Sequence, residues 1–162
     1  MTCLRRADRW GSNQHAPVSG CLAGMERRAV IGDRRLKQDS PGRILVVEDE
    51  LAVLHFLNAL LLDRGYQVLQ ARNGVEALVA LTAPRPELPH AMILDLGLPL
   101  ESGVPVLSFL RSVMGTGVPV IVLTGRQDPD EEAAVRELGI SAFLRKPASA
   151  DQVLQAIAAV VP

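Results

Sequence analysis

The chain has 162 residues, which is the size of one domain with a short extension, and 48% of them are hydrophobic against 22% charged. This mixture supplies enough apolar side chain for a folded core. No apolar run approaches the ~20 residues that cross a bilayer. No continuous apolar stretch follows the N-terminal arginines, which argues against a secretory signal.

The net charge of −1 conceals a basic start and an acidic remainder. Residues 1–42 carry eight Lys/Arg and four Asp/Glu, a net +4, whereas residues 43–162 carry nine and fourteen, a net −5. We therefore predict a basic, disordered N-terminal extension over residues 1–42 and a folded domain over residues 43–162. A basic arm for an acidic partner or a membrane surface is the functional alternative, and Met25 offers an alternative start.

Composition also limits the class of partner. An acidic domain repels phosphates and argues against direct nucleic-acid binding. The five aromatic residues of the chain are scattered, so they do not form a platform for stacked bases. Cys3 and Cys21 lack the spacing of metal ligands, which predicts reduced thiols in a cytoplasmic protein.

From residue 43 onward, short apolar runs alternate with helix-type spacing. The predicted strands are 44–47, 67–71, 91–94, 118–123 and 142–144. The first predicted helix has Leu51, Leu54, Leu57 and Leu61 on its apolar stripe and ends at a cap at Gly65. The other predicted helices are 75–81, 104–113, 128–139 and 149 to about 160. Asn73, Asp128 and Ser149 each begin a capping-box pattern.

This alternation predicts an α/β fold with five βα units, in which a parallel, doubly wound sheet is covered by helices on both faces. In such a sheet, ligands bind at the carboxyl ends of the strands. The residues at those ends are therefore the candidate site.

Chemically reactive residues follow four of the predicted strands: Glu48 and Asp49, Asp95, Thr124, and Lys146. Any one of these carboxylates could be a turn or cap residue, but together they would form a pocket of net charge −2. An all-oxygen ligand set without His or Cys favours Mg²⁺ or Mn²⁺.

The same residue types suit transfer of a phosphoryl group onto a side chain. A carboxylate is the nucleophile, while a metal, an ammonium and a hydroxyl stabilise the charge on the phosphoryl oxygens. The chain lacks the Gly-rich GxxxxGK phosphate loop, so a nucleotide is not the expected substrate.

The segments ILVVEDE, LDLGLPLESG, VLTG and FLRKP closely resemble the receiver domain of two-component response regulators. The spacing is specific: Asp95 precedes Pro99 by four residues and Gly103 by eight, and Phe143 precedes Lys146 by three. The resemblance covers residues 43–161. It implies a flavodoxin-like sheet with strand order 2-1-3-4-5, and a signalling module, not an enzyme.

The resemblance also implies individual roles. Asp95 resembles the phosphoacceptor, Asp49 the direct metal ligand, and Glu48 the residue that holds metal-bound water. The backbone carbonyl of Gly97 is expected to supply another oxygen to Mg²⁺.

Thr124 resembles the hydroxyl that moves onto the phosphoryl group, and Lys146 the counter-cation, whose bond to Pro147 is cis in relatives. Phe143 resembles the aromatic switch residue, with a plain core aromatic as the alternative interpretation. The face that repacks is then formed by residues 129–160.

The implied partners are a sensor histidine kinase or phosphotransfer protein, and a downstream protein or a second copy that binds residues 129–160 after phosphorylation. The expected role is a stand-alone receiver in the cytoplasm. The alternatives are a receiver fragment of a larger regulator or hybrid kinase, and a degenerate module that takes no phosphate. An aspartyl-phosphate phosphatase would need a second carboxylate where Gly97 stands.

Three positions in or beside the pocket depart from the commoner pattern of the family. Glu48 stands where Asp is more frequent, which lengthens the reach to the metal by one methylene. Gly97 has no side chain to orient an attacking water, and Arg126 adds a cation near the pocket. We therefore predict slow self-dephosphorylation.

Overall fold

The structure is a computed structural model that describes residues 41–84, 88–99 and 103–161. Almost all of the predicted N-terminal extension, together with Cys3, Cys21 and Met25, lies outside these residues. The proposed boundary near residue 42 therefore stays a prediction.

Five strands alternate with five helices in the described residues. The strands are β1 (Arg43–Val47), β2 (Gln67–Ala71), β3 (Ala91–Leu94), β4 (Val120–Thr124) and β5 (Ala142–Arg145). The helices are α1 (Leu51–Asp63), α2 (Gly74–Thr82), α3 (Gly103–Ser108), α4 (Pro129–Glu137) and α5 (Ala150–Ala158). Helix α3 continues into one π-helical turn, Phe109–Val113.

The strands form a single parallel sheet in the order β2-β1-β3-β4-β5, which confirms the predicted topology. The central strands β1, β3 and β4 are buried on both faces because helices cover each side. Because all the strands are parallel, their carboxyl ends lie at the same edge of the sheet.

The hydrophobic core is divided by the sheet into two layers. Helices α1 and α5 cover one face and bury Leu54, Leu57, Leu61, Val153 and Ile157. Helices α2, α3 and α4 cover the other face and bury Ala77, Leu81, Val106, Leu107 and Val135. Successive strand residues supply alternate layers, as the two-residue period of a strand requires.

The helix ends largely follow the predicted capping residues. Gly65, after α1, has a φ of +81°, a conformation that favours glycine. Asn73 accepts a hydrogen bond from the Glu76 N–H, but the Glu76 carboxylate accepts from the N–H of Arg72, one residue before the cap. Ser149 forms the complete capping box that its sequence predicts.

Two boundaries differ from the prediction. Strand β4 begins at Val120, not at residue 118, because Pro119 has no N–H for a neighbouring strand. The predicted helix 104–113 becomes π-helical after Ser108.

From this turn the Arg111 guanidinium donates hydrogen bonds to the carbonyls of Thr116, Leu138 and Gly139. Burial of the guanidinium lowers the pKa of Arg111.

The outer surfaces of the helices carry some apolar side chains. Leu51, predicted on the buried stripe of α1, is the first residue of the helix and is 48% exposed. None of the described helices is long and apolar enough to cross a membrane.

Candidate functional site

The ends of four strands bring the predicted residues to one place. Glu48 and Asp49 follow β1, Asp95 follows β3, Thr124 ends β4 and Lys146 follows β5. One carboxylate oxygen from each of Glu48, Asp49 and Asp95 lies within 4.8 Å of the others. The tertiary structure therefore forms the acidic cluster that the strand-end pattern predicts.

Lys146 connects two of these carboxylates. Its Nζ lies 2.7 Å from Glu48 Oε2 and 2.6 Å from Asp95 Oδ2, with 18% of its side chain exposed. The Lys146 N–H donates to the Thr124 carbonyl, and the following bond to Pro147 is cis, as the resemblance implied. Burial lowers the pKa of Lys146, but the hydrogen bonds and charges of Asp95 and Glu48 outweigh it and leave that pKa raised.

Glu48 is the most deeply buried charge of the cluster, with 1% of its surface exposed. Burial is the largest effect on the pKa of Glu48 and raises it; the hydrogen bond and charge of Lys146 oppose this, and the negative charge of Asp95 adds to it. Because both Glu48 oxygens lie within hydrogen-bonding distance of Lys146, the ammonium offsets much of the desolvation cost of this carboxylate.

Asp95 is held at both oxygens. Lys146 donates to Oδ2, and the N–H of Gly97 donates to Oδ1 at 2.9 Å. A Cβ at position 97 would lie 3.4 Å from either carboxylate oxygen, so this glycine leaves one side of the carboxylate uncovered. A buried carboxylate that is held in one orientation and has space beside it at position 97 is suited to act as a nucleophile.

Gly103 supports the loop after Asp95 by close backbone packing. A Cβ there would lie 2.5 Å from the Asp95 carbonyl oxygen and 3.1 Å from the Leu94 side chain. Any larger residue must displace the segment that carries Asp95. The sequence showed this glycine as part of a motif, but its contact became visible only in three dimensions.

The acidic cluster fits a hard divalent cation. Three carboxylates and one ammonium leave a formal charge of −2, and the donors are all oxygens, the set that Mg²⁺ prefers. Lys146 donates hydrogen bonds to Glu48 and Asp95 but not to Asp49, which leaves the Asp49 carboxylate available to a metal. The Gly97 N–H lies against Asp95; the role of its carbonyl stays a prediction.

Thr124 lies buried at the end of β4 and accepts a hydrogen bond from the Arg126 N–H at 3.1 Å. The Arg126 guanidinium pairs with Glu131 on α4 at 3.1 Å, so the cation expected near the pocket is already partly neutralised. The hydroxyl of Thr124 is thus held by the loop that leads into α4.

Phe143 on β5 is half-buried and packs on the core beneath α4. Two guanidinium groups lie near its ring, with the Arg136 carbon 5.2 Å and the Arg145 carbon 5.0 Å from the ring centroid. Neither arginine was predicted to belong to the site. The available signal was the i, i+2 spacing of Phe143 and Arg145, which places both side chains on one face of the strand.

Comparison with known proteins agrees with this geometry. Residues 44–158 match the family described as the response regulator receiver domain. The chain is 40% identical over 118 residues to the transcriptional regulatory protein KdpE of Mycobacterium tuberculosis, covering 73% of this chain and 50% of that protein. It is 38% identical over 112 residues to the response regulator MprA of Mycobacterium avium, covering 69% and 47%. The chain thus spans about half the length of the curated relatives it matches.

Solved structures show the same fold. A response regulator receiver domain from Clostridium thermocellum superposes with a TM-score of 0.67 at 30% identity, over 74% of this chain and 93% of that one. The CheY-like receiver domain of Methanospirillum hungatei superposes with a TM-score of 0.66 at 26% identity, over 72% and 90%. With its five-stranded sheet and its acidic strand-end pocket, this chain belongs to the response regulator receiver domain family of two-component signalling.

Proposed function

We propose that this receiver domain takes a phosphoryl group onto Asp95 from a phosphohistidine of a sensor kinase or phosphotransfer protein. The observation that carries the proposal is the position of the Asp95 carboxylate, which lies buried between the Lys146 ammonium and two further carboxylates at the carboxyl edge of the sheet. This arrangement suits the transfer of a phosphoryl group to a carboxylate oxygen, and it does more than form a structural ion pair.

The transfer breaks the P–N bond to the donor imidazole and forms a P–O bond to Asp95, and the released imidazole takes up a proton. Lys146 neutralises charge on the phosphoryl oxygens, and Thr124 turns from the Arg126 N–H to donate its hydroxyl proton to one of them. Glu48, Asp49, Asp95 and the Gly97 carbonyl would hold Mg²⁺, which supplies further neutralisation of the phosphoryl oxygens when bound.

The protein that carries the phosphohistidine can approach Asp95 over the surface between α1 and α5. A cavity of about 490 Å³ lies beside the pocket between α1 and α5 and includes Phe56, Lys146 and Pro147 in its lining. Phe56 is 45% exposed. The change Phe56→Ser is expected to slow transfer from the cognate kinase while leaving labelling by acetyl phosphate unchanged.

Phosphorylation is then read out at residues 129–160. Thr124 and Phe143 connect the pocket to this face, which binds a downstream protein or a second copy of the chain in the cytoplasm. The alternative of a degenerate module that takes no phosphate predicts no modification at Asp95.

Intact-protein mass spectrometry after incubation with acetyl phosphate and Mg²⁺ tests the proposal. One added phosphoryl group is expected, and Asp95→Asn should abolish it, whereas the exposed Asp63→Asn serves as a matched control that keeps it. Unmodified wild-type protein, or phosphate on another residue, overturns the assignment.

The stand-alone role stays a prediction. The curated relatives are about twice as long as the stretch they share with this chain. The size of the natural polypeptide on an immunoblot with an antibody to this domain tests it, and a band much larger than 17.4 kDa would contradict a stand-alone receiver.

A further inference from the structure

Two arginines lie against the ring of Phe143 and share one carboxylate; we call this set of side chains the arginine clamp: Arg136, Arg145 and Glu132. The guanidinium carbons of Arg136 and Arg145 lie 5.2 Å and 5.0 Å from the ring centroid. Glu132 joins the two cations, since its Oε1 lies 2.8 Å from Arg136 Nη2 and its Oε2 pairs with Arg145 Nη2. The half-buried ring is thus held by two cation–π contacts and a carboxylate bridge.

Local geometry explains why the clamp forms. Arg145 is two residues after Phe143 on the edge strand β5, so both side chains point to the face covered by α4. Glu132 and Arg136 are one helical turn apart on α4 and lie side by side. The clamp therefore ties the helix to the strand across the ring.

The clamp is also connected to the hydroxyl beside the phosphorylation pocket. The Arg126 N–H donates to Thr124 Oγ1, and the Arg126 carbonyl accepts from Arg145 Nη1. Arg145 is the register partner of Thr124 in the ladder between β4 and β5. A movement of Thr124 that breaks its hydrogen bond to the Arg126 N–H therefore frees the residue whose carbonyl holds Arg145, the cation next to Phe143.

We propose that the arginine clamp is a latch that holds Phe143 in its half-exposed position while Asp95 carries no phosphate. When Thr124 turns toward a phosphoryl group, the Arg126 N–H loses its hydrogen bond and the Arg126 carbonyl shifts away from Arg145. Arg145 then keeps only its ion pair with Glu132, and the ring is released inward. The backbone after Thr124 is loosely packed, because among the described residues a Cβ at Gly125 would meet only the Lys146 Cβ, at 3.9 Å. This inference rests on the proposed function. It adds the contacts that set the equilibrium between the outward and inward positions of the Phe143 ring.

The size of the effect follows from the exposure of the partners. Arg136 and Arg145 are about half exposed, at 57% and 47% of their side chains. At such sites a cation–π contact changes an equilibrium about two- to fivefold. Loss of one guanidinium should raise the population of the inward ring, and hence the apparent affinity for a phosphoryl analogue, by about threefold.

NMR on the full chain labelled with ¹³Cζ-phenylalanine tests the latch. The chain has three phenylalanines, and Phe143→Leu assigns the resonance of interest. In the wild type, beryllofluoride with Mg²⁺ is expected to shift this resonance. In Arg145→Met, the resonance of the free protein should already lie part of the way toward that position, and beryllofluoride should bind about threefold tighter. Arg145→Lys should fall between the two.

Control variants separate the latch from general damage. Arg64→Met removes an exposed arginine on the end of α1 and should leave both readouts at the wild-type value. Two further variants, Arg136→Met and Glu132→Gln, remove the members of the clamp that lie on α4. Both should change the two readouts in the same direction as Arg145→Met. Wild-type affinity in all three clamp variants overturns the latch.

A double-mutant cycle with Phe143→Leu gives the decisive comparison. If Arg145 acts through the ring, Arg145→Met should not change beryllofluoride affinity further in the Phe143→Leu protein. An equal effect in both backgrounds would assign Arg145 a direct role in the pocket and overturn the latch. If acetyl phosphate labels Asp95 but the wild-type Phe143 resonance does not move, the latch fails while the proposed function stands; if Asp95 is not labelled, the proposed function fails first.

Discussion

The acidic pocket and the arginine clamp both join charged side chains from distant parts of the chain, but they differ in burial. In the pocket, Glu48 and Asp95 are almost fully buried and share one ammonium. In the clamp, Arg136 and Arg145 are about half exposed. Water therefore competes little with the first set of interactions and strongly with the second.

This difference separates two requirements of a switch. A reacting carboxylate must be held in position, and the high cost of separating a buried charge from its ion-pair partner enforces that position strongly. A conformational equilibrium must respond to one phosphoryl group, so the contacts that oppose it must be weak, as exposed ion pairs and cation–π contacts are. The predictions below test this contrast, from the largest expected effect to the smallest.

Loss of the ammonium should have the largest effect. Lys146→Met leaves Glu48 and Asp95 buried without their shared partner and should lower the free energy of unfolding by about 3 kcal/mol. Urea denaturation without Mg²⁺ measures this. Lys146→Arg keeps the charge and should lose much less. An equally stable Lys146→Met protein would show that the pocket is not held by this ammonium.

The loop that carries Asp95 should tolerate no side chain at Gly103. The change Gly103→Ala places a Cβ 2.5 Å from the Asp95 carbonyl oxygen and should destabilise the domain by about 2 kcal/mol. Gly97→Ala is the matched control, because its Cβ would make only ordinary contacts at 3.4 Å. Thermal unfolding compares the two, and equal midpoints would contradict the close packing at Gly103.

A side chain at position 97 should alter the lifetime of the phosphorylated state. Gly97→Asn sets an amide beside the open side of the Asp95 carboxylate, where it can orient an attacking water. We expect phosphate loss to accelerate about fivefold, equivalent to about 1 kcal/mol of activation free energy. Release of radiolabelled phosphate measures the rate, and an unchanged or slower rate contradicts the role assigned to this glycine.

The clamp should contribute least to stability. Glu132→Gln weakens two partly exposed ion pairs and should lower the free energy of unfolding by less than about 1 kcal/mol. The exposed Glu137→Gln on the same helix is the control in urea denaturation. A loss as large as that of Lys146→Met would remove the distinction between a rigid pocket and a weakly held switch.

Much of the fold was predictable from local patterns. The strands around 44–47 and 91–94 are continuous apolar runs between polar turns, which is typical of strands buried on both faces. Capping residues such as Asn73 and Ser149 satisfy the first N–H groups of their helices by local hydrogen bonds, so their signal is contained in four residues. The start of β4 was predicted two residues too early, at 118. Pro119 lacks the N–H that would bond to a neighbouring strand, and the hydrophobic pattern does not show this.

The sequence by itself determined the order of elements and the convergence of Glu48, Asp49, Asp95 and Lys146, because hydrophobic period and strand ends are local and periodic signals. The strand order followed from the resemblance to the receiver family. Only the tertiary structure decided that Lys146 bridges two carboxylates, that Gly103 packs against the Asp95 backbone and that two arginines lie next to Phe143. These contacts depend on the directions of side chains from elements far apart in the chain, and no local pattern encodes such directions.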